Sequence, residues 1–302
     1  MDADLDALAT ALYVTVDDLL KEHPERLPER PLVGIAPQIT DAELIVMSVI
    51  QALLGYRSEA RWLRRAHQDF HTMFPYIPRQ SGYNKRLRKL TTVIAWLTGA
   101  IGALVSVADD DVVVVDSTPV ECGRSKETAR RSDLAGWAEY GYCASHSRYF
   151  WGLRLHLACT VHGLPLGWVL TGAKTDEREA ALTMLADTPG LWQRPLTMIA
   201  DKNYFGKQFE AELAQAGITL LRPARKGEKP RSGSQFFKPL RQIVESINDT
   251  LKGQLDLESP GGHTMAGVCV RVAQRVLALT AVIWHNDRIG AGIRRSLTAY
   301  DH

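Results

Sequence analysis

The sequence predicts an α/β protein in which a mixed sheet flanked by helices follows an all-helical domain. Two observations lead to this prediction. Up to residue 107 the apolar residues recur at helical spacing, whereas after it short β-branched runs alternate with helical segments. The 302 residues suffice for two domains, which we place at 1–107 and 108–302.

The N-terminal domain carries signals for at least three helices. Thr40 and Glu43 have the spacing of a capping box in front of an apolar run that Gly55 ends. A second helix is predicted from about Ser58 to Met73. A third is predicted from about Asn84, after the break "YIPRQSGY", with apolar residues continuing at helical spacing to residue 97.

The opening turns of the third helix are basic. Their cations are Lys85, Arg86, Arg88 and Lys89. A group of capped, basic helices is typical of a helix-turn-helix DNA-binding domain, in which one helix enters the major groove and cations bind the phosphates. The alternative is a solvated basic face. The net charge of only +2 does not decide between the two, because a local basic stretch can hold a polyanion even on a nearly neutral chain.

Cysteine usage and hydropathy exclude several classes of protein. Four scattered cysteines behind an acidic start predict reduced thiols and a cytoplasmic protein. Cys143 and His146 have a ligand-like spacing, but no second closely spaced pair accompanies them, so we expect no structural zinc. The most apolar late stretch, 268–284, contains Arg271 and Arg275 and predicts a packed helix rather than a membrane span.

The second domain alternates predicted strands and helices. The predicted strands are Asp111–Asp116, Trp151–Val161, Leu164–Ala173, Leu196–Asp201 and Ile218–Arg222. The predicted helices are about Glu177–Ala186, Phe205–Ala216, Pro239–Gly253 and Met265–His285. His162-Gly163 favours a hairpin turn, so we expect the first three strands to be antiparallel.

Residues 123–150, between the first two strands, are too many for a hairpin loop. They combine cations with aromatic residues: Arg124, Lys126, Arg130, Arg131, Trp137, Tyr140 and Tyr142. Cations hold a DNA backbone and aromatic rings stack on unpaired bases. A contact with a DNA end and an ordinary excursion packed on the domain both remain open.

Two of the predicted strands end in a carboxylate. Asp116 follows four valines in "VVVVDSTPVE", and Asp201 follows the apolar run "LTMIA". Ligand sites in α/β folds gather beyond strand ends, so the two side chains are expected at one edge of the sheet. Two bare carboxylates would repel each other, and Mg²⁺ or Mn²⁺ would relieve that repulsion. A turn at Asp-Ser-Thr-Pro is the alternative for Asp116.

A third acid is available on the helix "PLRQIVESINDTLKGQL". Glu245 lies on the shoulder of its apolar stripe and shares a flank with Arg241 and Asn248. A carboxylate in that position can enter a metal site above a sheet. An ion pair with Arg241 is the alternative, and Asp249 is a weaker rival for the same role.

The acids in "VVVVDSTPVEC", "IADKNY" and "RQIVESINDTLK", spaced by 85 and 44 positions, resemble the catalytic acids of DDE transposases of bacterial insertion sequences. The resemblance implies a ribonuclease H-like catalytic domain in which Asp116, Asp201 and Glu245 hold two Mg²⁺ (or Mn²⁺) ions. It implies strand cleavage at the element's ends and transfer to target DNA.

The same resemblance implies the partners and their contacts. Terminal inverted repeats and target DNA would be bound, with a homodimer in the synaptic complex and a nucleoid-associated location. Lys202, Tyr204 and Arg241 would contact phosphates, although a surface lysine and a core tyrosine are the alternatives. The rival functions are a nuclease of the same fold that does not join strands and a catalytically inactive DNA-binding derivative. The presence of all three acids disfavours the inactive derivative.

Overall fold

The computed structural model divides the chain into two compact units. One comprises Met1–Val105 with Leu251–His302, and the other comprises Ser106–Thr250. Leu251–His302 are therefore part of the same compact unit as the N-terminal helices. The residues that the structure describes are 3–29, 36–123, 125–143, 147–187, 195–231, 233, 237–257 and 260–300.

The helices of both units follow the predicted order closely. They are α1 (Ala3–Glu22), α2 (Asp41–Leu53), α3 (Glu59–Asp69), α4 (Gln80–Lys89), α5 (Thr91–Gly102), α6 (Lys126–Arg131), α7 (Glu177–Asp187), α8 (Lys207–Gln215), α9 (Phe237–Asp249) and α10 (Met265–Arg288). A π-helical turn, Thr250–Gln254, follows α9. The α1 and α6 helices lack a specific sequence prediction.

The predicted capping box is confirmed at the start of α2. The Glu43 amide donates to Thr40 Oγ1 at 3.1 Å, and the Thr40 amide donates to Glu43 Oε2 at 2.7 Å. Just after the helix, Gly55 has a φ of +68°, a conformation that glycine adopts without steric cost. The local sequence therefore determines both ends of α2.

The predicted third helix is two helices. The α4 helix begins after Arg79, inside the stretch taken as a break, and the chain turns at Leu90 before α5 starts at Thr91. Leu87, Leu90 and Val93 are all buried. Because the apolar spacing continues across the turn, the sequence does not reveal it.

The α10 helix explains why the C-terminal residues join the helical unit. It contacts α1, α2 and α5, and Arg271 Nη2 donates to Glu59 Oε1 of α3 at 2.8 Å. By length and composition α10 could cross a bilayer, but 89 % of its most apolar window is buried inside the protein. The prediction of a packed helix is confirmed, since a helix that is apolar on every side needs partners all around it.

The second unit contains a mixed sheet whose strand order is β2-β3-β1-β5-β6. The strands are β1 (Val112–Gly123), β2 (Glu139–Cys143), β3 (Arg148–Thr160), β4 (Pro165–Gly172), β5 (Leu196–Ile199) and β6 (Ile218–Leu221). The β3 strand is antiparallel to β1 and β4, as predicted, whereas β5 and β6 continue the sheet in parallel. The β2 and β4 strands pair with successive halves of β3.

The β1 strand does not end at Asp116. It continues to Gly123 with Asp116 opposite Leu157 of β3, so the alternative of a turn at Asp-Ser-Thr-Pro is wrong. Pro119 takes a place in the ladder opposite Arg154 although it has no N–H to donate. The β-branched residues Thr118 and Val120 on either side are buried and favour the extended chain.

Residues 123–150 contain α6 and β2, neither of which the sequence predicts. The β2 strand pairs with the first five residues of β3 and extends the sheet. Arg124 and His146 lie outside the described residues, so the spacing of Cys143 and His146 is not tested. Cys143 itself is buried, in contact with Phe150 and Ala173.

Candidate active site

Asp116 and Asp201 lie level with each other at one edge of the sheet. The parallel pairing of β1 with β5 ends at Val114 and Ile199, and each aspartate is two residues beyond that pair. Asp116 is half-buried within β1, while Asp201 is exposed just after β5. Topology therefore places side by side two carboxylates that are 85 positions apart in sequence.

Burial and neighbouring charges act on both aspartates. Burial raises the pKa of Asp116 to about 6, and the charges of Glu177 and Asp201 act in the same direction. The pKa of Asp201 is also raised, chiefly because its carboxyl group loses part of its hydration at the sheet edge although the residue as a whole is exposed, and then by the charge of Glu177. The site therefore brings the negative charges of Asp116, Asp201 and Glu177 close enough to repel one another.

Amide donors orient both carboxylates. Asn248 Nδ2 of α9 donates to Asp116 Oδ2 at 2.6 Å. The backbone amide and Nδ2 of Asn203 donate to the two oxygens of Asp201 at 2.7 and 3.0 Å. These contacts restrict the rotation of each carboxylate and favour its charged form.

Glu245 is exposed on α9, one turn before Asn248. Residues three apart share a helix flank, so Glu245 lies on the flank that contacts Asp116. Asp249 is also exposed, about 100° around the helix from Asn248. The side chain of Arg241 lies outside the described residues.

The donor chemistry of the two aspartates fits a divalent cation. Their oxygens are hard ligands of the kind that Mg²⁺ and Mn²⁺ take. A cation would offset the negative charge that adds to burial in raising both pKa values. Within the part of the chain that the structure describes, however, no three acidic, histidine or cysteine side chains form a metal-binding group. Glu245 is therefore near the aspartates in helix position without completing a three-acid cluster.

Glu177, the first residue of α7, is an acid of this site that sequence reasoning missed. Ser117 Oγ donates to Glu177 Oε1 at 2.7 Å, and Arg154 Nη1 donates to the same oxygen at 3.1 Å. Arg154 Nη1 also donates to Ser117 Oγ at 3.0 Å. The available signal was Arg154, a cation between two of the alternating leucines of β3.

The two residues predicted to follow Asp201 into a phosphate contact differ in exposure. Lys202 is exposed, but Tyr204 is only 1 % exposed and presents no surface to DNA. Among the described residues the Tyr204 hydroxyl has no hydrogen-bond partner. Burial, and then the charges of Glu177, Asp116 and Asp201, raise its pKa. Of the two interpretations of Tyr204, a phosphate contact or a core tyrosine, its burial fits the core tyrosine.

The predicted DNA-binding cations are not equivalent. The exposed ones are Lys85, Arg88, Lys89, Arg130 and Arg131. Arg86 instead donates to the Asp41 carboxylate and to the backbone oxygen of Ile39, the latter at 2.7 Å. Arg86 therefore packs α4 against the start of α2, a role that the basic pattern does not distinguish from phosphate binding.

Three exposed tyrosines share one face of β2 and β3. Tyr140, Tyr142 and Tyr149 are 46 %, 49 % and 78 % exposed. Tyr142 lies opposite Tyr149, with ring centroids 5.1 Å apart. Tyr149 is eight residues before Leu157, the partner of Asp116, so alternation puts these tyrosines on the sheet face of Asp116.

Comparison with known sequences agrees with this geometry. Residues 108–280 match the transposase DDE domain, and this match covers more than half of the chain and all three predicted acids. Among curated proteins, none matches the sequence. The six-stranded sheet, in which β1 to β4 pair antiparallel and β5 and β6 continue in parallel with helices against it, is the ribonuclease H-like arrangement of that domain. The chain therefore belongs to the transposase DDE family, whose members process the DNA of mobile elements.

Proposed function

We propose that this protein is an insertion-sequence transposase that cleaves DNA at the ends of its element and transfers the strands to target DNA. The observation that carries the proposal is the level placement of Asp116 and Asp201 at one sheet edge within the matched domain. Two carboxylates at such an edge suit a polyanionic substrate only when cations accompany them.

In this proposal Asp116, Asp201 and Glu245 hold two Mg²⁺ (or Mn²⁺) ions. When bound, the ions would supply Lewis acidity for activating a water or a DNA 3′-hydroxyl and for stabilising the leaving oxygen of an in-line displacement. Asn248 and Asn203 orient the aspartate oxygens. Glu245 reaches the same region because it shares the helix flank of Asn248. The chain itself supplies orientation and negative charge rather than a nucleophile.

DNA binding is assigned to exposed cations on both units. A helical domain within 1–107 reads the terminal repeats through Lys85, Arg88 and Lys89, while Arg130, Arg131 and Lys202 hold phosphates near the aspartates. Arg241 completes the predicted set on α9. A homodimer pairs the two ends in the synaptic complex.

In this proposal the three exposed tyrosines of β2 and β3 bind unpaired bases, which assigns residues 123–150 to DNA binding. Exposed aromatic residues on a sheet are the usual platform for stacking unpaired bases. Gly123 adjoins Thr128 of α6 and Trp151, so α6, which carries exposed cations, lies beside the same face. The face therefore suits a strand that has separated from its complement near a cleaved end.

A nicking and joining assay tests the proposed function. The full chain is incubated with duplexes carrying the inverted repeats that flank its gene, together with a target plasmid and Mg²⁺. We expect 3′ ends at the repeat boundaries and joined products, both lost in EDTA. Cleavage without joining would indicate the nuclease, and repeat binding without cleavage would indicate the inactive derivative.

A further inference from the structure

We infer that Glu177 is a positioning residue of the candidate active site, which holds strand β1 at Asp116 by binding Ser117 and Arg154. The inference rests on the proposed function, because it assigns to Glu177 an effect on strand cleavage. It also makes a claim about the strand itself that can be measured without any reaction.

Three hydrogen bonds define the cluster. Glu177 Oε1 accepts from Ser117 Oγ at 2.7 Å and from Arg154 Nη1 at 3.1 Å, and Arg154 Nη1 reaches Ser117 Oγ at 3.0 Å. Arg154 Nη2 also donates to the backbone oxygen of Tyr142 at 3.2 Å. The cluster thus connects α7, β1, β3 and β2 through side chains that are mostly buried.

The β1 strand needs such a connection at this point. Its pairing with β5 ends at Val114, so at Asp116 the ladder continues only with β3. Successive residues of a strand point to opposite faces, so Ser117 lies on the face opposite to Asp116. Asn248 holds Asp116 from one face while Glu177 holds Ser117 from the other.

The position of the Glu177 carboxylate is itself fixed. Glu177 is the first residue of α7, and Asp176 before it accepts from the Arg178 amide at 2.8 Å, which caps the helix. Arg154 neutralises the Glu177 charge in a setting where few waters can do so. A charge-assisted contact of this kind holds geometry more strictly than a neutral one.

The test compares Glu177→Ala, Glu177→Gln and Ser117→Ala in the full chain, with Glu179→Ala as the matched control. Glu179 is an exposed acid on the same turn of α7. We expect Glu177→Ala and Ser117→Ala to lower the single-turnover cleavage rate at saturating Mg²⁺ by roughly 10- to 100-fold, with unchanged affinity for the repeat. The Gln variant, which keeps the acceptor oxygen, should recover most of the rate. The Glu177→Ala/Ser117→Ala double variant should be no slower than the slower single variant.

Hydrogen exchange supplies a readout that does not depend on activity. The amides of 115–118 should exchange faster in Glu177→Ala than in Glu179→Ala, at equal thermal stability of the rest of the unit. Equal exchange in these two variants would overturn the inference, as would wild-type cleavage by Glu177→Ala. A wild-type chain that does not cleave would count against the proposed function, while the exchange comparison would still decide the role of Glu177.

Discussion

Asn248 Nδ2 donates a 2.6 Å hydrogen bond to Asp116 Oδ2, and this contact fixes how helix α9 faces strand β1. The contact matters for the third acid, because it identifies the flank of α9 that is turned toward the aspartates. Glu245 shares that flank at a spacing of three residues, whereas Asp249 is displaced by about 100°.

We therefore predict that Glu245→Gln lowers strand cleavage by roughly 10³-fold, since in the proposed function it removes a ligand of a cation that stabilises transition-state charge by several kcal/mol. Asp249→Asn should keep most of the activity. Both are measured as single-turnover cleavage of a repeat duplex in Mg²⁺. If the two results are exchanged, the third catalytic acid is Asp249 and the flank assignment is wrong.

A second prediction concerns the charge on Asp116. Asp116→Asn keeps the shape of the side chain and an oxygen that Asn248 can bind, but removes a half-buried charge whose pKa is raised by burial. Cleavage should be lost, repeat binding should persist, and thermal stability in EDTA should stay level or increase. A marked decrease in that stability would mean that the Asp116 carboxylate supports the fold rather than the reaction.

The fold was largely predictable from sequence because local hydrophobic patterns and capping or turn residues indicate most of its strands and helices. The pattern "LTMIA" and the alternation in β3 gave strands whose bounds agree with the structure within three residues. The end of β1 was missed because Pro119 usually marks a turn, and here the ladder with β3 accommodates it. Such tertiary pairing is not visible in local propensity.

The candidate site was predictable only in part, for a related reason. Strand-end position indicated Asp116 and Asp201, since two parallel strands bring their ends to one edge. Glu177 carried no such signal, because only the placement of α7 beside β1 and β3 brings it to Ser117. The burial of Tyr204 likewise depends on neighbours that are distant in sequence.

A third prediction distinguishes the cations of α4 that bind DNA from the one that stabilises the fold. Replacing the exposed Arg88 and Lys89 by alanine should weaken binding to the terminal repeat and reduce its salt dependence by roughly one unit of log–log slope per lost phosphate contact. Fluorescence anisotropy across a salt series measures both quantities. Repeat binding that is unchanged in affinity and slope would remove α4 from DNA recognition.

Arg86→Ala is the matched comparison within that helix. Because the Arg86 guanidinium binds the Asp41 carboxylate and the Ile39 backbone oxygen, its loss should lower unfolding free energy by about 1–3 kcal/mol. The salt slope of repeat binding should remain that of the wild type. Urea denaturation measures the difference in stability.

The tyrosine face of β2 and β3 leads to a fourth prediction. Tyr149→Ala should weaken binding of a short single-stranded oligonucleotide by about 1–3 kcal/mol, the usual contribution of one stacked base. Tyr149→Phe keeps the ring and should bind as the wild type does. Duplex binding should change little in either variant. Equal single-strand affinity for the alanine and phenylalanine variants would rule out stacking on this ring.

A fifth prediction concerns His156, which is fully buried and binds Thr171 Oγ1 through Nε2 at 3.0 Å. Burial, and then the charge of Arg154, lower the pKa of His156 to about 4. The folded protein therefore holds the imidazole neutral, while the unfolded chain protonates it near its ordinary value of about 6.5. Stability from this group is present above that value and is lost as pH falls toward 4.

The loss should amount to at most about 3 kcal/mol of unfolding free energy between pH 7 and pH 4. Urea denaturation across this range should show a shallower pH dependence for His156→Gln than for the wild type, because glutamine has no proton to gain. If His156→Gln keeps the wild-type slope, the pKa of His156 does not differ between the folded and unfolded states, and the lowering by burial is wrong.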